Sequence, residues 1–236
     1  MSSTSSKKRR GAAAKGVIVL RNIRYRDYVA LSDAPGNEHI RMAYHNGILE
    51  IMSPYSRHEQ PSRRFCAFFW VLCEELDIDF EAVGSTTFRK GEPLDEKGQP
   101  QEKKGHGKEP DEAFYFANAA RIAFEDRDIT LDRDPPPDLW IEIDNRASSA
   151  GKLPLYAALG VPEVWRYRIT TNRLWFGRLS ADRSTYEPIE HSLSLPMLTP
   201  ALVLEALALG KGVIQSTWTK RLRAWVRETL KPTNPS

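Results

Sequence analysis

Residues 135–144 read PPPDLWIEID, and this stretch decides the fold. Each proline fixes φ near −65° and removes a backbone donor, so no helix runs through the entry. The residues that follow alternate strictly, with Leu139, Ile141 and Ile143 on one side and Asp138, Trp140, Glu142 and Asp144 on the other. A period of two predicts a β-strand. Glu142 and Asp144 then share a face of an otherwise apolar strand, where an unpaired carboxylate is costly to bury. Asp138, directly after the prolines, suits a strand-entry position, where a carboxylate accepts turn hydrogen bonds.

Downstream, a short helix over 152–159 stops at Gly160, which suits a left-handed C-terminal position. Residues 164–169 open a last set of strands that continues through Leu179 and Ile189, and helices over 200–209 and 217–230 close the chain. Upstream, DEAFYF at 111–116 is a second strand candidate. Residues 40–44 and 48–52 are apolar runs around Asn46-Gly47, a pair suited to a type I′ hairpin turn. From Ser56, a candidate N-cap, Phe65, Phe68, Phe69, Leu72, Cys73 and Leu76 recur at helical spacing to Asp77, with Pro61 in the first turn. Residues 78–89 return to β character. The stretch KGEPLDEKGQPQEKKGHGKE at 90–109 is charged, rich in Gly and Pro and without periodicity, which predicts a surface insert.

This order of elements predicts an α/β or α+β protein with a mixed central β-sheet flanked by helices. A chain of 236 residues with 41% hydrophobic and 28% charged residues is of ordinary globular composition. The expected organisation is one domain over 17–200 with the insert at 90–109, a disordered basic tail at 1–16 and a helical extension at 201–236. No run approaches a membrane span, and the tail has no apolar core of a signal peptide, so a cytoplasmic protein is expected. Cys66 and Cys73 lie on one helix face about 10 Å apart by helical rise, too far to bridge.

The net charge of +3 neither demands nor excludes nucleic acid as a partner. Positive charge clusters at Lys7, Lys8, Arg9 and Arg10, and again at Lys220, Arg221, Arg223 and Arg227. Each cluster is a phosphate-contact candidate or simply solvated charge. The carboxylates carry the sharper signal. Glu142 and Asp144 on one strand and Asp111 on another suit a hard divalent cation, and Lys152, just beyond, lies within reach if its helix folds back onto the sheet. Carboxylates, Mg²⁺ and a lysine are groups that cleave phosphodiesters. The same acids could instead pair with Arg89 and Arg146 in a structural network.

The segments NGILEIMSPYSRHE (46–59), GSTTFRKG (84–91), EPDEAFYF (109–116), PPDLWIEID (136–144) and KLPLYAALGVPEVWRY (152–167) resemble the Uma-type putative restriction endonuclease family, a branch of the PD-(D/E)XK nuclease superfamily. The resemblance implies a restriction-endonuclease-like fold, Mg²⁺ or Mn²⁺, and hydrolysis of DNA. Asp111 takes the place of the family's first acid and Glu142 that of the second, both as metal ligands, with Asp144 a further candidate on the same strand face. The superfamily's usual lysine position, two residues after the glutamate, is here Asp144. Lys152, four residues before Tyr156, takes the displaced lysine's place. His58 and Glu59 occupy positions of possible accessory groups, while Glu50, Glu112 and Arg89 read as structural. A homodimer would supply the two sites a double-strand cut needs. A nuclease fold retained without catalysis, as a nucleic-acid-binding or regulatory module, is the competing reading.

Overall fold

The structure, a computed structural model, describes residues 17–37, 39–52, 59–91, 105–123, 129–145 and 148–231. Two sheets are present among them. The first is antiparallel throughout and is ordered β1 (Val17–Arg21), β3 (Ile48–Met52), β2 (Arg41–His45), β6 (His106–Lys108), β5 (Phe88–Lys90). The second is mixed and runs β11 (Tyr186–Pro188), β10 (Arg173–Leu179), β9 (Glu163–Arg168), β8 (Leu139–Asp144), β7 (Glu112–Tyr115), β4 (Glu81–Ala82). Its one parallel pair is β8 with β9, joined through α4 (Leu153–Leu159) as a parallel connection requires. The expected mixed sheet with flanking helices is present, and the hairpin founds a separate antiparallel sheet.

Local chemistry explains these elements. At the hairpin turn Asn46 and Gly47 both have positive φ, 48° and 78°, as a type I′ turn demands. The helix α2 (Glu59–Leu76) buries Phe65, Phe68, Phe69 and Leu72 completely. They meet Ile141, Ile143, Trp165 and Phe176 of the second sheet in one core. Truncating Phe68 to alanine there costs about 3–5 kcal/mol. On the opposite face of that sheet Trp140 and Val164 meet Tyr156 and Leu159 of α4 together with Ala43 and Phe88 of the first sheet. A third cluster sets α1 (Tyr25–Ser32) on the first sheet through Tyr25, Tyr28 and Tyr44.

Two boundaries differ from the sequence expectation. The stretch 90–109 is not wholly a surface insert, because His106–Lys108 form β6 in the interior of the first sheet, between β2 and β5. Glycine makes this possible: a Cβ on Gly107 would lie 2.1 Å from the Tyr28 hydroxyl. The C-terminal helices α5 (Pro200–Ala208) and α6 (Gln215–Thr229) are no appendage either. Val203, Ala206, Trp218, Leu222 and Val226 belong to the main core. No helix of the described residues is long and apolar enough to cross a membrane.

Candidate active site

The chain passes from the first sheet to the second through Glu109, Pro110 and Asp111, and the candidate residues gather at that passage. β7 pairs with β8 so that Glu112 faces Ile141. One further step of the same register sets Asp111 opposite Glu142. The Asp111 Oδ2 accepts the Ile143 N–H at 2.7 Å, so the carboxylate continues the ladder that its backbone has left. Its Oδ1 accepts from Arg41 Nη1 of β2 at 2.5 Å.

Glu142 is buried on the α4 side of the sheet and accepts the Trp140 indole N–H at 2.7 Å. Its cation partner is Lys108 of β6, with Nζ 3.1 Å from Oε1 and side-chain exposures of 5% and 8%. Burial lowers the Lys108 ammonium from its ordinary value, and the Glu142 charge opposes that shift. Tyr156 stands on the same side. Its hydroxyl is buried beside Glu142, and burial followed by the charges of Glu142 and Asp111 raises its pKa well above the usual range. Next to Asp111, burial raises the Glu112 carboxyl despite the hydrogen bond it accepts from Ser62 of α2.

Lys152 lies at the rim. Its Nζ is 3.0 Å from Glu50 Oε2 of β3 and 3.4 Å from Met52 Sδ. The partly exposed side chains of Lys152, Glu50 and Arg41 thus surround a buried floor of Asp111, Glu142 and Lys108. Farther along the same face of the first sheet, His45 and His106 bring their Nδ1 atoms to 3.1 Å. Burial, then the charges of His45 and Lys90, push His106 down to about 4.

The other sequence candidates divide. Asp144 has different partners: Arg166 at 2.7 Å, Arg168 at 3.7 Å and the Ser149 N–H at 2.7 Å. Asp138 accepts the N–H groups of Phe116 and Ala117, as a strand-entry carboxylate should. Arg89 pairs with Asp33 rather than with the acids of the site. In α6, Arg223 and Arg227 bind Glu74 and Glu75 of α2, while Lys220 and Arg221 remain exposed. The two arginines hold the Glu75 carboxyl down to about 2, with Arg227 the larger influence. His58, Arg146, the N-cap candidate Ser56 and the basic tail lie outside the described residues, and Glu59 is described only as the first residue of α2.

Sequence reading missed Lys108 and Arg41. The HGK of β6 carries no strand periodicity and sits in a charged, Gly-containing run, so only its place three residues before Asp111 marked it. Arg41 gave no local signal, because it stands 70 residues from its partner.

No group of three or more His, Cys, Asp or Glu that could hold a metal ion forms among the described residues. Two buried carboxylates on adjacent strands instead suit a hard divalent cation that keeps most of its ligands as water or phosphate oxygen, the habit of Mg²⁺.

Residues 25–210 match the family described as Uma2, putative restriction endonuclease. No curated protein matches the sequence. Among solved structures the chain is similar to one from Anabaena variabilis, described as a putative nuclease belonging to DUF820. The two are 14% identical, with a TM-score of 0.47, covering 86% of this chain and 99% of the other.

Proposed function

The chain belongs to the Uma2 putative restriction endonuclease family, and from that premise we propose that it is a metal-dependent endonuclease that hydrolyses DNA phosphodiester bonds at the Asp111–Glu142 passage between its sheets. The observation that carries the proposal is the cross-strand opposition of these two buried carboxylates under a rim that carries Arg41 and Lys152.

Asp111 and Glu142 would hold Mg²⁺ or Mn²⁺. Such an ion supplies Lewis-acid polarisation of a phosphoryl oxygen and acidifies water at neutral pH. The chain's own groups do the rest. Lys152 is kept at the rim by Glu50, from where its ammonium donates to a non-bridging phosphate oxygen and offsets the charge that grows there. Arg41, already orienting Asp111, has further donors on its guanidinium for the flanking phosphate. Trp140 fixes the Glu142 carboxylate through its indole N–H and so limits its rotation. Asp144, bonded to Arg166, braces the strand rather than adding a third ligand. Backbone phosphates give affinity without choice of sequence.

One observation favours a second reading, a nuclease fold kept only to bind nucleic acid: both carboxylates already have a cation, Arg41 and Lys108. Cleavage of plasmid and single-stranded DNA in Mg²⁺, Mn²⁺ or EDTA separates the two, with wild type compared to Glu142→Ala and Lys152→Ala, each assayed below its own melting temperature. The endonuclease gives a metal-dependent product in the wild type that both substitutions remove. Product that survives only in Lys152→Ala keeps the nuclease and removes the lysine from it. DNA binding without product in any condition establishes the second reading.

A further inference from the structure

Lys108 raises a separate question, since a buried lysine next to a metal ligand costs desolvation and adds a positive charge where a dication is to sit. Its ammonium has two partners, the Glu142 carboxylate at 3.1 Å and the Glu109 backbone carbonyl. Both tie it to the passage between the sheets. Without it Asp111 and Glu142 would face each other across adjacent strands with Arg41 alone to balance them, and like charges that close inside a protein repel strongly. β6 would also lose its polar link to the second sheet at this point.

From this placement, and resting on the metal-site reading above, we infer that Lys108 is the site's internal counter-cation: it preassembles the two carboxylates before a divalent ion arrives and competes with that ion for Glu142. Lys108 is therefore a positioning residue, acting on the reaction through Glu142. The competition follows from geometry. An ion bound to Glu142 sits within a few ångströms of an ammonium held at 3.1 Å from the same carboxylate, and each approach of one charge weakens the hold of the other. The arrangement sets a ceiling on metal affinity, and it makes the metal-free protein stable on its own.

The test is Mn²⁺ binding by titration calorimetry, with thermal melts in Mn²⁺ and in EDTA, on the full chain carrying Lys108→Met or Lys108→Arg. Methionine keeps the apolar length of the side chain and removes its charge. Lys108→Met is expected to bind Mn²⁺ at least about tenfold more tightly than wild type and to gain more melting temperature from the ion, since a like charge within this distance is worth a unit or more of pKa or its equivalent in affinity. Lys108→Arg, which keeps the charge, is expected to stay near wild type. A role in packing alone moves neither the affinity nor its rescue by arginine. Equal Mn²⁺ affinity in wild type and Lys108→Met overturns the counter-cation role and leaves the metal site standing. No Mn²⁺ binding in either overturns the metal site and the inference with it. If Lys108→Met unfolds in EDTA, refolding on addition of Mn²⁺ supports the proposal, and failure to refold in saturating Mn²⁺ overturns it.

Discussion

Glu142 and Glu163 are both buried glutamates in neighbouring strands of one sheet, and each accepts a tryptophan indole N–H two residues away, Trp140 at 2.7 Å and Trp165 at 2.6 Å. They face opposite sides. Glu163, with Trp165, lies toward α2 and α5, where its second oxygen accepts from the Ser192 hydroxyl and the Leu193 and Ser194 N–H groups. Its partners among the described residues are neutral, and burial raises its pKa while the bonds from Trp165 and Ser194 pull it back. Glu142 faces a buried ammonium and the buried Tyr156 hydroxyl. Burial alone therefore does not distinguish the two acids; their partners do. A carboxylate closed by neutral donors staples a loop, whereas Glu142 is balanced by a charge brought from the other sheet.

The strongest way to break this comparison is to replace each glutamate with glutamine. Both variants lose about 2–4 kcal/mol of stability, one by stranding Lys108 and the other by setting an amide N–H₂ against donors. Only Glu142→Gln loses chemistry, by about 10³-fold in metal-dependent cleavage per folded molecule. Plasmid nicking normalised to folded protein measures this, and comparable losses in Glu163→Gln would erase the distinction.

Asp144→Asn sharpens the contrast within β8 itself. Loss of charge opposite Arg166 and Arg168 costs about 2 kcal/mol in urea unfolding, while Mn²⁺ affinity stays within about twofold of wild type. A tenfold drop in affinity would make Asp144 a ligand.

The smallest expected effect is a pH dependence at the His45–His106 pair. His106 titrates at about 4 in the folded protein against 6.5 ordinarily, so between those values the unfolded chain binds more protons than the folded one. Stability from this group is full above 6.5 and falls as pH drops toward 4. Melting temperatures of wild type and His106→Asn should therefore converge on acidification, and parallel curves would show that His106 does not carry this pH dependence.

Much of the framework was legible in the sequence because its signals are local. Asn46-Gly47 set the hairpin turn, the spacing of Phe65, Phe68 and Leu72 set α2, and Gly160 ended α4 with φ of 84°. The alternation over 139–144 placed Glu142 and Trp140 on one face, as found. The boundary at 90–109 misled because β6 has no apolar period of its own. Its strand state comes from pairing with β2 and β5 on either side. The C-terminal helices likewise looked separable until Trp218 and Leu222 met the core.

Local sequence is enough for the elements and for the placing of Asp111 and Glu142 at apolar strands, since turn chemistry, side-chain period and a charge in an apolar strand act over a few residues. Which cations meet those acids follows from the docking of the two sheets. Lys108 reaches Glu142 and Arg41 reaches Asp111 because two sheets dock across the passage at Glu109–Pro110–Asp111. Such electrostatic partnership depends on distance in space, which no local pattern encodes.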